Sequence, residues 1–233
     1  MVDAPEQQAT RVLAIRHAET AWNVDGRIQG QLDLALNETG RRQVQRLALA
    51  LAEEDIAAVY SSDLLRALET AQAVSHGRGV PVVTDAGLRE RGFGEFEGLT
   101  RAEINGRWPE MGERWRKRDP SFGAPGGETL TAFYARSMAT ATRLAALHPG
   151  RTIALVSHGG VMDCLYRAAT HVALDAPRSW QLGNAAINRL LYTPQGFTLV
   201  GWSDTQHLDD DTRDESADGD APVKLPQAVK AAA

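Results

Sequence analysis

The sequence predicts an α/β fold: a three-layer α/β/α sandwich with a mostly parallel central sheet and helices on both faces. Three observations carry this expectation. Short apolar runs occur at 11–15, 56–60 and 152–156, a polar turn follows each directly, and the segments between them have helical spacing. Strands alternating with helices return to the same sheet by crossover connections, which makes them parallel.

The first run, RVLAI from Arg11 to Ile15, suits a buried strand and ends abruptly in polar residues beginning at Arg16. Asn37 is a fitting N-cap for the segment ETGRRQVQRLALALAEE, in which Val44, Leu47 and Leu51 form one apolar stripe. The run from Ile56 to Tyr60 leads into a helix that Ser62 or Asp63 is placed to cap. A long helix is predicted from Glu128 to Leu147, after the turn-rich stretch Gly123 to Gly127, and His148-Pro149-Gly150 stops it. Thr152 to Val156 is the third strand and precedes the helical segment beyond Ser157-His158-Gly159-Gly160. Ala186 to Tyr192 and Phe197 to Trp202 read as two strands joined by the turn Thr193 to Gly196.

One domain is expected over residues 1–208, with a helical excursion at about 99–125 that carries Trp108 and Trp115 and is placed to cover a pocket. The tail 209–233 holds seven acidic and three basic residues and few apolar ones, so flexibility in solution is expected there. Without the tail, 22 basic residues stand against 23 acidic, a near-neutral body that argues against a nucleic-acid surface. Cys164 is the only cysteine, so an intrachain disulfide is excluded and a reducing compartment fits. The opening residues show no basic leader followed by an apolar stretch, and no later run approaches bilayer length; the expectation is a cytoplasmic protein without a membrane partner. A homodimer is left open as an assembly.

The chemistry concentrates at strand ends, where open α/β sheets bind ligands. Arg16 offers a rigid fork of donors suited to phosphate oxygens, and His17 offers a nitrogen able to attack phosphorus. His158 occupies the equivalent place after another strand, and Gly159 beside Gly160 would let an anion approach the backbone as a helix begins. Arg66 sits one turn past a third strand end, positioned either for the same anion or for a solvated helix face with Glu69. In LRERGFGEFEG at 88–98, an acid desolvated beside phenylalanines would retain a proton for an alcohol leaving group, whereas pairing of Glu90 with Arg89 or Arg91 would oppose that. Each histidine or arginine alone also fits an ordinary turn or core position. The six histidines lack metal-ligand spacing, so no metal is expected.

RHAETAWN at 16–23, QGQLD at 29–33, LNETGRRQ at 36–43, SDLLRALETA at 62–71, LRERGFGEFEG at 88–98, GGET at 126–129 and SHGG at 157–160 together resemble the histidine phosphatase superfamily, the phosphoglycerate mutase-like group. The resemblance runs in order from about residue 11 to about residue 202. It implies that His17 is the phosphorylated nucleophile and that Arg16, Arg66 and His158 clamp the phosphoryl oxygens, with Asn23 as a further donor. Gln29, Gly30 and Gly159 are implied as substrate-binding positions and Glu90 as the proton donor. The implied substrate is a small phosphorylated metabolite, and no cofactor is implied. Mutases of the group carry a longer basic insertion after the position of Gly98, and the compact segment here resembles the phosphatase branch. A mutase and a non-catalytic phospho-ligand binder are the competing readings. One departure is Ala18, where the group usually has glycine; its methyl would crowd a phosphate at positive φ but not at negative φ.

Overall fold

The computed structural model describes residues 8–208; the acidic tail lies outside them. Strands β1 (Thr10–Arg16), β2 (Ile56–Ser61), β3 (Val82–Thr84), β4 (Thr152–Ser157), β5 (Ile187–Thr193) and β6 (Gly196–Asp204) form one six-stranded sheet in the order β3-β2-β4-β1-β5-β6. β1, β2, β3 and β4 pair in parallel, while β5 runs antiparallel to β1 and β6 antiparallel to β5. The mostly parallel sheet is therefore as expected, with a hairpin closing one edge.

Strand alternation sorts the side chains into two cores. Leu13, Ile15, Ala154 and Val156 face one side, where Leu47 and Leu51 meet Ala67, Ala71 and Val74. These belong to α2 (Glu38–Ala50, which follows the short α1, Ala21–Asp25), the turn after it, and α3 (Leu65–Ser75). Val12, Ala14, Ile153 and Leu155 face the other side, against Phe133, Leu144, Val161 and Leu165. Each fully buried Leu or Phe contributes about 1.5–3 kcal/mol over an exposed one, so the apolar runs commit the strands to the middle layer.

The remaining helices are α4 (Arg101–Arg107), α5 (Pro109–Arg116), α6 (Leu130–Ala146) and α7 (Gly159–Thr170). The excursion holds α4 and α5, which have their own core: Phe93, Phe96, Ile104, Trp115 and Phe122 pack together, with Trp108 against them. Of the aromatics in this region, Phe93, Phe96 and Trp115 are thus core residues.

Two local expectations are corrected. Neither Ser62 nor Asp63 caps α3 through its side chain: the N-cap is Leu64, and the first helical N–H, from Leu65, donates to Asp33 Oδ1 at 2.7 Å. Ser62 bonds His158 instead, and Asp63 binds Arg89. The long helix starts at Leu130, two residues after the predicted Glu128, because Thr129 accepts from Ala132 N as the cap and Glu128 is drawn to Arg136 and Gly92. Strand β3 is an addition, three residues just past Pro81.

Candidate active site

The register of the sheet builds the site. β1 and β4 pair so that Arg16 lies opposite Ser157, which brings the next residues, His17 and His158, side by side where both strands end. His17 N–H continues the ladder by donating to Ser157 O at 2.8 Å, and the two imidazole centroids stand 5.2 Å apart. Ser61 of β2 lies opposite Val156, which delivers Ser62 Oγ to 2.8 Å from His158 Nε2.

The loop carrying His17 is bound from several sides. Ala18 N–H donates to Thr70 Oγ1 on α3, and Glu19 N–H donates to Gln43 Oε1 on α2. Asn184 Nδ2 donates to His17 O at 3.0 Å, and the backbone N–H of Ala185 donates to Arg16 O. Ala18 is not among the residues of positive φ; its methyl is buried with Leu36, Val44 and Ala185, so the departure from glycine is absorbed by core packing.

His17 is 3% exposed, and its Nδ1 lies 2.7 Å from Ala18 O. A proton on Nδ1 satisfies that carbonyl and leaves the lone pair on Nε2, which accepts from Arg66 Nε at 3.3 Å. Burial, then Arg66, then Arg16 hold the His17 pKa well below the ordinary histidine value, and the bond to Ala18 O opposes them without prevailing. His158 is likewise held well below it, by burial first and then by Arg66, His17 and Arg16. Both rings are neutral bases at neutral pH.

Arg66 is fully buried: Nη2 donates to Gly30 O at 2.8 Å and Nη1 to Leu32 O at 2.9 Å. Gly30 takes φ +51°, and a side chain there would drive its Cβ to 2.1 Å from Glu97 Oε1, so only glycine lets this carbonyl turn toward the guanidinium. Arg16 Nη1 donates to Leu182 O, and Arg16 is 2% exposed.

Glu90 stands at the mouth of α7. Its Oε1 accepts from Arg91 N–H at 2.8 Å and its Oε2 from Gly160 N–H at 3.0 Å. A Cβ on Gly160 would come within 2.2 Å of that carboxyl, which explains the second glycine of the motif. The guanidinium of Arg89 is directed to Asp63, with contacts of 2.7 and 2.5 Å, and that of Arg91 donates to the carbonyls of Glu128 and Phe122.

Most of these groups border one cleft, partly open to solvent. Of the residues singled out from the sequence, Arg16, His17, Gln29, Gly30, Arg66, Glu90 and Gly159 line it; His158 does not, though its ring centroid stands 5.2 Å from that of His17. Asn23 does not line it. Its Oδ1 accepts from Thr20 N–H and Oγ1–H, which caps α1, and from Asn184 Nδ2. Sequence reasoning missed Arg27, Arg178 and Leu182 on the walls and Asn184 beneath them. Arg178, Leu182 and Asn184 come from the irregular segment between α7 and β5, where no periodic pattern marks position. Among the described residues, no three His, Cys, Asp or Glu side chains are grouped to hold a metal ion, and no helix is long and apolar enough to cross a membrane.

The comparisons with known proteins agree with this arrangement. A family model described as "Histidine phosphatase superfamily (branch 1)" matches residues 12–205. The chain is 36% identical over 212 residues to phosphoglycerate mutase-like protein 4 of Arabidopsis thaliana, covering 89% of this chain and 91% of that one. It is 35% identical over 206 residues to a metal-independent phosphoserine phosphatase of the same plant, covering 87% and 85%. Among solved structures, a mycobacterial glucosyl-3-phosphoglycerate phosphatase in complex with VO3 superposes with a TM-score of 0.74 at 33% identity, over 84% of this chain and 99% of that one. With its fold, the strand-end histidine pair and a family match spanning nearly all the described residues, this chain belongs to the histidine phosphatase superfamily, branch 1.

Proposed function

We propose that the protein is a metal-independent phosphomonoester hydrolase that passes the phosphoryl group of a small phosphorylated metabolite through His17 to water. The observation that carries this reading is the in-register end of β1 and β4, which sets the imidazoles of His17 and His158 side by side, with His17, Arg16 and Arg66 lining one cleft.

Phosphoryl transfer asks a protein chiefly for alignment and for charge stabilisation. The phosphoryl oxygens take up the donors of Arg16, Arg66 and His158; once Arg66 Nε turns to an oxygen, the Nε2 lone pair of His17 is free to attack phosphorus in line. The Nδ1 contact with Ala18 O fixes the ring and shares the positive charge that develops on it. Glu90, across the cleft, protonates the departing alcohol oxygen and afterwards takes a proton from the water that attacks phosphohistidine. Asn23 acts at one remove, joining the α1 cap to Asn184 and so to the His17 carbonyl.

Phosphate release from a metabolite panel, measured for wild type and His17→Ala in parallel, tests the reading. The variant is expected to fold and to lose at least about a thousandfold in kcat/KM; wild-type turnover by that variant would refute it. The mutase-like relative in Arabidopsis supports a second reading, in which the group returns to another hydroxyl of the bound product. Isomerisation of 3-phosphoglycerate without phosphate release would select that reading.

A further inference from the structure

The nucleophile and the acid are held in place by different means. Arg16 closes the ladder between β1 and β4, and His17 and His158 follow it directly. Glu90 has no ladder. Residues 89–93 are irregular backbone between two single 3₁₀ turns, Ala86–Leu88 and Gly94–Phe96. A general acid has to reach one oxygen within hydrogen-bond distance, and a misplacement of about 1 Å can cost about a hundredfold in rate. Side chains from elsewhere must therefore fix this loop.

Arg136, on α6, binds it most extensively. All five of its guanidinium N–H donors have acceptors: Nη1 donates to Gly87 O at 2.9 Å and Arg89 O at 3.0 Å, Nη2 to Glu90 O at 3.2 Å and Glu128 Oε2 at 2.7 Å, and Nε to Glu128 Oε1 at 2.8 Å. Glu128 extends the hold to the far side of the acid. Its Oε2 accepts from Gly92 N–H at 2.8 Å, and its own N–H donates to Gly92 O at 2.7 Å. Between these points lies Arg91, whose N–H donates to the Glu90 carboxyl at 2.8 Å. The pair thus bonds residues 87, 89, 90 and 92, the backbone that aims this carboxyl. Both side chains are about a quarter exposed, where an ion pair alone adds little to stability.

Resting on the reading of Glu90 as the proton donor, we infer that Arg136 and Glu128 are positioning residues for that acid. Neither lines the cleft; together they set where the Glu90 carboxyl meets the leaving oxygen. The planar fork of arginine is needed for this, because lysine offers three donors in place of five and cannot reach the same five acceptors.

Leaving-group dependence tests the inference. An alkoxide departs only as it is protonated, whereas p-nitrophenolate leaves without a proton. The measurement is kcat/KM for p-nitrophenyl phosphate and for the alkyl ester that wild type hydrolyses fastest in the metabolite panel, with glycerol 3-phosphate, 3-phosphoglycerate and phosphoserine among the alkyl esters tried. The same folded molecules turn over both esters, so the alkyl-to-aryl ratio does not depend on how much of a variant is folded, and a general loosening of the site lowers both rates together. Glu90→Gln is expected to lower that ratio by about a hundredfold or more. Arg136→Met should lower it by about 10–50-fold, Arg136→Lys by less, and Glu128→Gln by about 5–20-fold. If Arg136→Met yields no soluble protein, Glu128→Gln gives the readout. A ratio within threefold of wild type in the variant read, while Glu90→Gln lowers it, would overturn the positioning role and leave the acid in place. An unchanged ratio in Glu90→Gln, or wild-type turnover of the aryl ester alone, would remove the acid assignment and this inference with it. If wild type hydrolyses no phosphomonoester at all, it is the phosphatase reading that fails.

Discussion

Two clusters of buried arginines border the first turn of α7, and Gly160 touches the space beside each. On one side, Asp163 Oδ2 accepts from Arg118 Nη2 at 2.6 Å and from Arg167 Nε at 2.9 Å, with all three side chains at most 3% exposed. Arg167 also lies over the Trp180 ring at 4.7 Å, and Arg118 Nε donates to Leu174 O. On the other side, Arg16 and Arg66 direct donors to the carbonyls of Leu182, Gly30 and Leu32 and to the His17 nitrogen. The first cluster draws its anion from α7 itself; the second lines the cleft, where the proposed function gives it the substrate's phosphoryl group to hold. The difference teaches how one fold separates structural charge from catalytic charge. An internal carboxylate locks the end of the excursion to α7, while backbone carbonyls and the His17 ring help to hold the guanidiniums of Arg16 and Arg66 in position.

Substitutions should separate the two clusters. Arg66→Met is expected to lower kcat/KM by about 10²–10³-fold, the scale of losing one preorganised donor to developing charge. Its stability cost should stay at about 1–3 kcal/mol, from the carbonyls left unsatisfied. Steady-state kinetics beside urea denaturation would separate the two effects. Asp163→Ala should behave in the opposite manner: leaving two guanidiniums buried without their anion costs about 3–5 kcal/mol, read as a lower urea midpoint. The folded variant should keep kcat/KM within about tenfold of wild type. If Asp163→Ala proved as damaging to turnover as Arg66→Met at equal foldedness, the division between the clusters would be wrong.

Acidity offers a milder probe. The pKa values of His17 and His158 are depressed in the fold, so between those values and the unfolded value of about 6.5 the unfolded chain binds more protons. Their contribution is fully present above pH 6.5 and is lost as pH falls through the folded values, so the urea midpoint should decline on acidification below about 6.5. Saturating inorganic phosphate should reduce that decline by binding the folded state. A midpoint that rises on acidification from 6.5 to 5 would contradict two neutral rings. The smallest effect is expected from Ala18→Gly. Losing the buried methyl and gaining backbone freedom should cost about 1–2 kcal/mol by thermal unfolding, with kcat changed less than about threefold.

The sheet centre was legible in the sequence because β1, β2 and β4 are apolar runs that end in polar turns, and burial on both faces demands that pattern. His17, His158, Arg16 and Arg66 were legible for the same reason: strand ends place them. β3 escaped because three residues after a proline carry no periodicity. The cap of α3 escaped because its acceptor, Asp33, lies 32 residues from Leu65. Arg178 and Asn184 sit in an irregular segment whose path is set by tertiary contacts, and the Arg118–Asp163 pair joins residues 45 positions apart. Asn23 was read as a phosphate donor from motif resemblance alone; the capping position of its Oδ1, which accepts from Thr20, was not read from the sequence.

The central claim is that the phosphoryl group rests on the His17 ring between two transfers. Rapid mixing with a radiolabelled phosphomonoester, alkaline quenching and peptide mapping would test it most directly. The account predicts transient label on the peptide containing His17, acid-labile and absent from His17→Ala. Label confined to another side chain, or full turnover with no labelled protein at any quench time, would contradict it.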